Sequence, residues 1–254
     1  MQLDTKTAAS GISHIARETV GSTNEAALAL ARTGERGPLW ITARTQSAGR
    51  GRRGSAWVSQ PGNLYATLLL TDPCAPERAP ELSFVAALAV HDAVVELAPQ
   101  LGAMLRVKWP NDLLLDGAKF SGTLIEGDGT LALAAAIGIG VNCVNHPRAV
   151  VFPATDLAAA GAAIGPDALF AALTVAMSLR LEQWARGAGF AAIRADWLAR
   201  AAGLGEAIQV RVAGREVDGR FHGLDAAGRL LLQLPGGAME TIAAGEVFAL
   251  GAGR

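Results

Sequence analysis

The chain has 254 residues, of which 51% are hydrophobic and 18% are charged. This length accommodates one full-sized domain with a small second one, and the composition is that of a soluble globular protein with a sizeable core. The net charge of −1, from 22 basic and 23 acidic residues, argues against nucleic-acid binding through general basicity. Positive charge is instead local: no Asp or Glu lies between Glu35 and Asp72, a stretch that contains Arg44, Arg50, Arg52 and Arg53.

The cysteine content and the N-terminal segment predict a cytoplasmic protein. Cys74 and Cys143 are far apart in sequence and belong to no CxxC pair or zinc-binding pattern. A disulfide framework is therefore not expected, and a reducing compartment is favoured. The first residues, MQLDTKTAASGISHIARETV, contain no apolar segment of signal-peptide length. The apolar run from Leu131 to Val141 is too short to span a bilayer.

The first predicted elements place a glycine-arginine loop between two strands. Ser22, Thr23 and Asn24 form a helix-capping signal, and the residues after them predict a helix from about Asn24 to Arg32. Residues 39–46 (LWITARTQ) alternate in polarity and predict a strand, and residues 63–71 (NLYATLLLT) predict a second one. The loop between them, which includes the segment TQSAGRGRRGSAW, is therefore expected to extend from a sheet.

Further helices and strands predict one layered domain. Residues 79–101 have apolar side chains at helical spacing, with Pro80 near the first turn. Residues 104–127 predict three strands joined by a Pro-Asn-Asp turn and a glycine turn. A buried strand from Leu131 to Asn142 and two helices complete this domain. The helices are expected over about Asp167–Arg186 and Phe190–Ala201.

At Gly203–Gly205 the sequence pattern changes. The residues that follow form short alternating runs broken by Gly, Asp and Pro. This pattern is typical of a small all-β barrel of about fifty residues. We therefore predict one domain over residues 1–203 and a second over residues 204–254.

The glycine-arginine loop has the chemistry of an anion-binding site. Glycines allow the backbone to wrap around an anion, and the guanidinium groups of Arg50, Arg52 and Arg53 supply forked donors that match carboxylate and phosphate oxygens. The alternative is an exposed basic loop or a nucleic-acid tract. The flanking strands and Trp57 favour a binding loop. It is not a Walker loop, because no GxxxxGK[ST] segment occurs.

The segment KWPNDLLL, residues 108 to 115, combines a lysine with a turn. Pro-Asn-Asp is ordinary turn chemistry, so we interpret Asn111 and Asp112 as turn residues and allow Trp109 to be part of the core. We assign function to Lys108, because its ammonium group lies at the end of a strand beside the anion-binding loop.

Glycines in the next two strands indicate close neighbours. Gly122 permits close approach of a ligand to the backbone, although a β-bulge explains it almost as well. Gly138 and Gly140 weaken an otherwise apolar strand that ends at Asn142, so we expect a neighbouring group to require them. No catalytic role is assigned to the histidines, which share no spacing or partner pattern: His14, His91, His146 and His222.

Taken together, the segments STN, TQSAGRGRRGSAW, KWPND, KFSGTLIE and GIGVN, in this order and spacing, resemble the biotin protein ligases. The likeness continues through PATDLAAAG and FAAIRADWLARAAGLG and covers nearly the whole chain. It implies an α+β fold with a mixed-sheet catalytic domain and packed helices. This domain is class II synthetase-like and is shared with lipoate ligases, and a small C-terminal SH3-like β-barrel follows it.

The resemblance also implies a two-step reaction. Biotin and ATP, with Mg²⁺, form biotinyl-5′-AMP and pyrophosphate. A specific lysine of a biotin carboxyl carrier domain, in acetyl-CoA carboxylase or a related carboxylase, then attacks this mixed anhydride and releases AMP. The implied catalytic residues are Lys108, Arg50 and Arg52, and no protein side chain is assigned to the metal.

The same resemblance assigns binding residues. Those expected around biotin are Ser22, Thr23, Asn24, Gln46, Arg50, Gly51, Arg52, Lys108 and Gly122. Those expected around ATP or the adenylate are Arg52, Ser55, Trp57, Lys108, Asn111 and Asn142. Glu246 of the C-terminal domain is a candidate contact. The resemblance identifies no general base for the acceptor lysine.

One departure from the family concerns DNA binding. Bifunctional members carry a winged helix-turn-helix domain before the STN segment, whereas 21 residues precede Ser22 here. We therefore expect a ligase without repressor function that binds neither DNA nor a membrane and is a monomer or a homodimer. The alternatives are a lipoate-type acyl-adenylate ligase, whose family lacks this arginine-glycine loop in this form, and a non-catalytic biotin sensor or nucleic-acid-binding regulator.

Overall fold

The computed structural model describes residues 12–129, 133–148, 150–212 and 214–249. The larger part is a seven-stranded sheet in the order β1-β2-β3-β7-β6-β5-β4, and the smaller part is a five-stranded sheet in the order β11-β10-β9-β8-β12. Helices pack on both faces of the larger sheet. The α+β class predicted from the sequence is confirmed.

The larger sheet is mixed because one of its pairings is parallel. β1 runs parallel to β2, and the other described pairings in this sheet are antiparallel. The strands are β1 (Ser13–Val20), β2 (Leu39–Gln46), β3 (Leu64–Thr71), β4 (Leu105–Lys108), β5 (Asp112–Leu115), β6 (Ala118–Asp128) and β7 (Ala134–Val141).

Two of these strands differ from the sequence-based prediction. β1 was not predicted, because an edge strand buries little and its sequence SHIARETV has no residue that is fully buried. β7 begins at Ala134. Residues 131 and 132 of the strand predicted from Leu131 lie outside the described residues.

The four helices occur where the sequence predicts them. They are α1 (Thr23–Arg32), α2 (Leu82–Leu97), α3 (Pro166–Trp184) and α4 (Phe190–Leu198). Ser22 caps α1, since its side chain accepts a hydrogen bond from the backbone N–H of Glu25 at 3.4 Å. α2 is apolar almost all round because it lies between the sheet and α3.

Successive side chains of the central strands point alternately to the two faces of the sheet. Ala135, Ile137 and Ile139 of β7 belong to the main core with α2, whereas Ala136 packs with α1 on the opposite face. Because successive side chains of a strand point to opposite faces, Gly138 and Gly140 lie on the α1 face. Gly140 is paired there with Gly122 of β6.

The smaller sheet follows α4 and is antiparallel throughout its described pairings. This arrangement is consistent with the small SH3-like unit expected, although no pairing among the described residues closes a barrel. Its strands are β8 (Ala207–Val212), β9 (Arg215–Leu224), β10 (Leu230–Gln233), β11 (Met239–Ile242) and β12 (Glu246–Ala249).

The two sheets share buried contacts. Phe221 and Leu230 of the smaller sheet belong to the same cluster of buried side chains as α2 and α4. The predicted boundary near residue 204 falls between α4 and β8, and the division into two domains stays a prediction. None of the helices in the described ranges is long and apolar enough to cross a membrane.

Candidate active site

A cavity of about 290 Å³ lies on the α1 face of the larger sheet. Its walls come from the start of α1, the glycine-arginine loop, the β4–β5 hairpin, β6, β7 and the turn before β12. The structure brings together every residue that the sequence singled out as a binding or catalytic candidate. These are Ser22, Thr23, Asn24, Gln46, Arg50, Gly51, Arg52, Ser55, Trp57, Lys108, Asn111, Gly122, Asn142 and Glu246.

One end of the cavity is a polar cluster at the start of α1. The backbone N–H and the hydroxyl of Thr23 donate to Oε1 of Gln46 at 2.9 and 3.1 Å. The hydroxyl of Thr67, on β3, donates to Oδ1 of Asn24 at 2.7 Å. Ser22 caps the helix and lines the cavity as well. Capping and ligand binding are therefore compatible functions of this segment.

Glycines on β6 and β7 form the floor of the cavity. A Cβ atom at Gly138 would collide with Oδ1 of Asn24, and one at Gly140 would lie 2.5 Å from Cε2 of Trp57. At Gly122 the nearest atoms would be those of Lys119 and Trp57, at 3.2 Å. The close neighbours expected from the sequence are thus present. The nearby bulge lies at a different position, where the β5–β6 register shifts between Leu113 and Leu114.

The glycine-arginine loop folds back on itself over the cavity. The N–H of Gly51 donates to the carbonyl of Ser55 at 2.7 Å, and the N–H of Trp57 donates to the carbonyl of Gly49 at 2.9 Å. Arg52–Gly54 forms one 3₁₀ turn, and Arg53 lies at its tip with a positive φ of 56°. This geometry directs Arg50 and Arg52 towards different parts of the cavity.

Arg50 lies at the α1 side of the cavity. It forms ion pairs with Glu25 and Glu126 at 3.1 Å each. The charge of Glu126 raises the pKa of Arg50, so this guanidinium stays protonated.

Arg52 lies between the loop and the C-terminal part of the chain. Its Nη1 donates to Oδ1 of Asn111 at 3.4 Å and to the carbonyl of Gly245 at 3.5 Å. Burial lowers the pKa of Arg52, while Asp112 and Glu246 oppose that shift. Arg52 therefore connects the loop, the β4–β5 hairpin and the turn before β12.

The middle of the cavity contains two ammonium groups around one carboxylate. Oδ2 of Asp112 lies 3.1 Å from Nζ of Lys108, and Oδ1 lies 2.6 Å from Nζ of Lys119. Burial opposes ionisation of Asp112, but Lys119 and Lys108 outweigh it and hold the pKa of Asp112 below its usual value. Burial lowers the pKa of Lys108, and Asp112 partly offsets this effect. The cluster has one more positive than negative charge when all three groups are ionised.

The opposite end of the cavity is largely apolar. Trp57, Val58, Val150 and Phe152 line it, and Nζ of Lys108 lies 3.8 Å from the centre of the Phe152 ring. Nε1 of Trp57 is buried and has no hydrogen-bond partner among the residues that the structure describes. Asn142 closes this end, with its Nδ2 donating to the carbonyl of Thr155 at 3.0 Å.

The structure corrects one interpretation and adds residues. The interpretation of Asp112 as an ordinary turn residue was wrong, because its carboxylate lies inside the cavity between two lysines. Lys119 and Phe152 line the cavity and had been given no role. The signal that could have identified Lys119 is the rarity of lysine, since Lys6, Lys108 and Lys119 are the chain's three lysines.

The histidines lie away from this centre. His14 bonds to Thr42, His91 to Asp92 and His146 to Asp156. In the described part of the chain, no histidine lines the cavity.

A second cavity of about 980 Å³ adjoins the first and shares Arg52, Asn111 and Thr123 with it. It runs along β6 and is bordered by residues 74–84 and by the 227–229 turn of the smaller sheet. Within the described residues, β5 pairs with β6 only as far as Gly122. The groove thus follows an open strand edge that leads to the lysine cluster.

Two regions of the chain match known family models. Residues 18–142 match the Biotin/lipoate A/B protein ligase family, and residues 203–250 match the Biotin protein ligase C terminal domain. The chain is 44% identical over 235 residues to a biotin--[acetyl-CoA-carboxylase] ligase of Paracoccus denitrificans, covering 89% of this chain and 96% of that relative.

Solved structures show the same fold. A biotin protein ligase from Aquifex aeolicus in complex with biotin and ATP superposes with a TM-score of 0.76 at 26% identity, covering 92% of this chain and 97% of that one. A biotin protein ligase from Leishmania major in complex with biotinyl-5-AMP superposes with a TM-score of 0.63 at 25% identity, covering 91% and 98%.

Proposed function

Because this chain belongs to the biotin protein ligase family, we propose that it is an ATP-dependent biotin–[acetyl-CoA-carboxylase] ligase. In the first step a carboxylate oxygen of biotin attacks the α-phosphorus of ATP and pyrophosphate leaves, which forms biotinyl-5′-AMP. In the second step Nζ of an acceptor lysine attacks the acyl carbon of this anhydride. AMP leaves, the amine loses its proton, and biotin is joined to the carrier by an amide bond.

The observation that carries this proposal is the position of the Lys108–Asp112–Lys119 cluster between a polar and an apolar end of one cavity. The first step brings together two anions, a carboxylate and a polyphosphate. Preorganised cations in a site that excludes water lower such a barrier by stabilising the charge of the transition state. Lys108 is largely buried, so its charge is poorly screened by solvent.

We place the ring of biotin at the polar end of the cavity. Thr23, Asn24 and Gln46 present hydroxyl and amide groups there, as a ureido ring requires. Ser22 lies at the same end, and Gly122 belongs to the proposed biotin site as part of the cavity floor, next to Lys119 and Trp57. The biotin carboxylate then points towards Lys108, under Arg50, Gly51 and Arg52 of the loop.

We place ATP at the apolar end. Trp57, Val58 and Phe152 offer a surface for the adenine base. Arg52, Asn111 and Lys108 lie where the phosphates would meet the carboxylate. Ser55 and Asn142 complete this part of the proposed nucleotide site.

Mg²⁺ belongs to the proposal as the ion that accompanies the phosphates of ATP. Across the described residues, no group of three His, Cys, Asp or Glu side chains is placed to hold a metal. Asp112 is already paired with two ammonium groups. We propose that the ion is held mainly by the nucleotide, with Glu246, which lines the cavity, as the protein carboxylate that would contact it. When bound, the ion would neutralise phosphate charge.

The acceptor is a biotin carboxyl carrier domain, which we propose approaches along the second cavity. That groove reaches Arg52 and Asn111, so a lysine in it would face the adenylate. The two cysteines are free and buried, which is compatible with the cytoplasm, where the carboxylase is expected. That the protein acts there as a monomer or homodimer, without binding DNA, stays a prediction.

Pyrophosphate exchange into ATP tests the first step. The purified protein should catalyse exchange with biotin and not with lipoate. Exchange with lipoate alone would show a lipoate ligase, and biotin binding without any exchange would show a non-catalytic sensor.

Transfer to a purified carrier domain tests the second step. Lys108→Ala should lower biotinylation at least about 100-fold, because one preorganised charge is removed from the transition state. The matched control is Arg44→Ala, which removes an exposed cation paired with Glu18 and should leave transfer unchanged. A folded Lys108→Ala protein with wild-type transfer would contradict the proposed role of Lys108.

A further inference from the structure

One carboxylate on β6 contacts both the polar end of the cavity and the loop above it. Oε2 of Glu126 accepts a hydrogen bond from Nδ2 of Asn24 at 2.9 Å, and Oε1 pairs with Nη2 of Arg50 at 3.1 Å. Glu126 itself lines the second cavity. It stands behind the proposed biotin site and had no role in the sequence analysis.

Glu126 determines which way the amide of Asn24 points. Nδ2 of Asn24 has two hydrogens, and its acceptors are the carbonyl of Leu124 at 3.2 Å and Glu126. Oδ1 accepts from Thr67. In the opposite orientation, Oδ1 would face a carboxylate and a carbonyl, and a buried acceptor without a donor is unfavourable. Asn24 is 4% exposed, so water does not relieve this penalty.

The contact of Glu126 with Arg50 is the weaker of its two interactions. The side chain of Arg50 is 41% exposed, and Arg50 has a second carboxylate partner in Glu25. Exposed ion pairs stabilise proteins only slightly, whereas a partly buried hydrogen bond to a charged group contributes more. Orientation of Asn24 is therefore the main effect of Glu126, and retention of the loop is the secondary one.

We propose that Glu126 is a positioning residue for biotin: its carboxylate fixes the orientation of the Asn24 side-chain amide at the polar end of the cavity and links that end to Arg50 of the loop. The inference rests on the proposed function, since it concerns how the same cavity recognises biotin. Glu126 acts through Asn24 and Arg50 and does not itself contact the substrate.

Glu126→Gln tests the proposal, because it removes the negative charge and replaces one of the two acceptor oxygens that face Asn24 and Arg50 by an amide NH₂ group. Biotin affinity, measured by calorimetry, should fall about tenfold, the size expected for a hydrogen bond to a charged group. KM for ATP should not change. In an Asn24→Ala background the same substitution should change biotin affinity less than about twofold, because the group that it positions is absent.

Glu25→Gln is the matched control, since it removes the other carboxylate of Arg50, whereas the Asn24 side chain bonds to Leu124, Glu126 and Thr67. Its biotin affinity should stay within about twofold of wild type, as expected for an exposed pair. Should Glu126→Gln fail to fold, Glu126→Asp, which is one methylene too short to reach both partners, gives the same comparison.

The outcomes separate this inference from the proposed function. Wild-type affinity in Glu126→Gln, an equal loss with and without Asn24, or an equal rise of both substrate KM values would each overturn the positioning role. A wild-type protein that does not bind biotin would instead overturn the function on which the inference rests.

Discussion

Asp112 shows how one buried carboxylate organises the charges of the cavity. It is the first residue of β5, directly across the hairpin from Lys108, and its second oxygen meets Lys119 of β6. Without it, two ammonium groups would face each other in a site with little solvent. Such a cluster is stable only while the carboxylate remains ionised.

Replacement of Asp112 by Asn should destabilise the protein and make its free energy of unfolding depend less on pH in the acid range. The folded-state pKa of Asp112 lies below its usual value, so its ionised form contributes stability above about pH 4. This contribution is lost as the pH falls through the folded-state pKa. Asp112→Asn should lower the free energy of unfolding at pH 7 by about 3 kcal/mol, measured by urea unfolding.

Urea unfolding repeated across a range of pH values shows whether the effect comes from ionisation of Asp112. Between about pH 5 and pH 2 the free energy of unfolding of Asp112→Asn should fall less steeply than that of wild type. Asp218→Asn, which changes an exposed carboxylate bonded to Gln209, should follow the wild-type curve. Parallel curves for wild type and Asp112→Asn would show that Asp112 is not held ionised by the two lysines.

Arg52→Gly should release the reactive intermediate. Arg52 connects the loop to Asn111 and Gly245, and glycine removes both contacts. Biotinyl-AMP would then escape and label lysines indiscriminately, which mass spectrometry of a bystander protein would detect. Arg53→Gly is the matched control, because Arg53 is exposed and its φ of 56° suits glycine. Strict carrier specificity in Arg52→Gly would show that Arg52 does not retain biotinyl-AMP in the cavity.

At the scale of elements, strand β7 has two glycines on the floor of the cavity, Gly138 next to Asn24 and Gly140 next to Trp57. Gly138→Ala should raise KM for biotin, because its Cβ would displace Asn24. Gly140→Ala should raise KM for ATP, because its Cβ would lie 2.5 Å from Cε2 of Trp57. Each increase should be about tenfold or more, in line with the cost of overpacking. Steady-state kinetics with each substrate varied in turn measures both.

The two alanine variants are controls for each other. They lie two residues apart on the same face, so a general effect on the strand would change both KM values in both proteins. Only a site with separate biotin and nucleotide ends predicts that Gly138→Ala raises KM for biotin alone and that Gly140→Ala raises KM for ATP alone.

The glycine-arginine loop should be mobile without ligand and ordered with it. Ordering the backbone costs about 1–2 kcal/mol per residue, and the ion pairs of Arg50 are partly exposed and therefore weak. Amide hydrogen exchange over residues 48–56 should slow when biotin is added. Exchange in α2, which is buried, should not change. Equal protection of the loop in both states would contradict the prediction.

At the scale of the whole molecule, the smaller sheet supports the active-site hairpin. Nε1 of Trp109 donates to the carbonyl of Gly228 at 3.0 Å, next to Lys108 in sequence. Trp109→Phe keeps the apolar ring but leaves this carbonyl unpaired. The free energy of unfolding should fall by about 1–3 kcal/mol, and KM for ATP should rise.

Trp184→Phe is the matched control for that substitution. Trp184 is equally buried and donates at 2.6 Å to Glu81, which lines the second cavity and not the first. It should lose stability without a change in KM for ATP. Equal KM values in the two variants would show that the smaller sheet does not position the hairpin.

Local signals made much of this architecture predictable. The alternating residues Leu39–Gln46 form β2 as predicted, and the capping residues before α1 mark its start. The motifs indicated the family, which the comparisons confirm. β1 escaped prediction because its stability comes from pairing with β2 rather than from its own sequence.

The sequence by itself determined the residue types of the site and the order in which the elements carry them, because capping, alternation and glycine content act over a few neighbouring residues. Only the tertiary structure decided which groups Asp112, Lys119 and Glu126 contact. The fold of the sheet brings these groups together. Asn24 and Glu126, for example, form a hydrogen bond although they are 102 residues apart in the sequence. Hydrogen bonds and ion pairs of this kind depend on position in space, which no local pattern specifies.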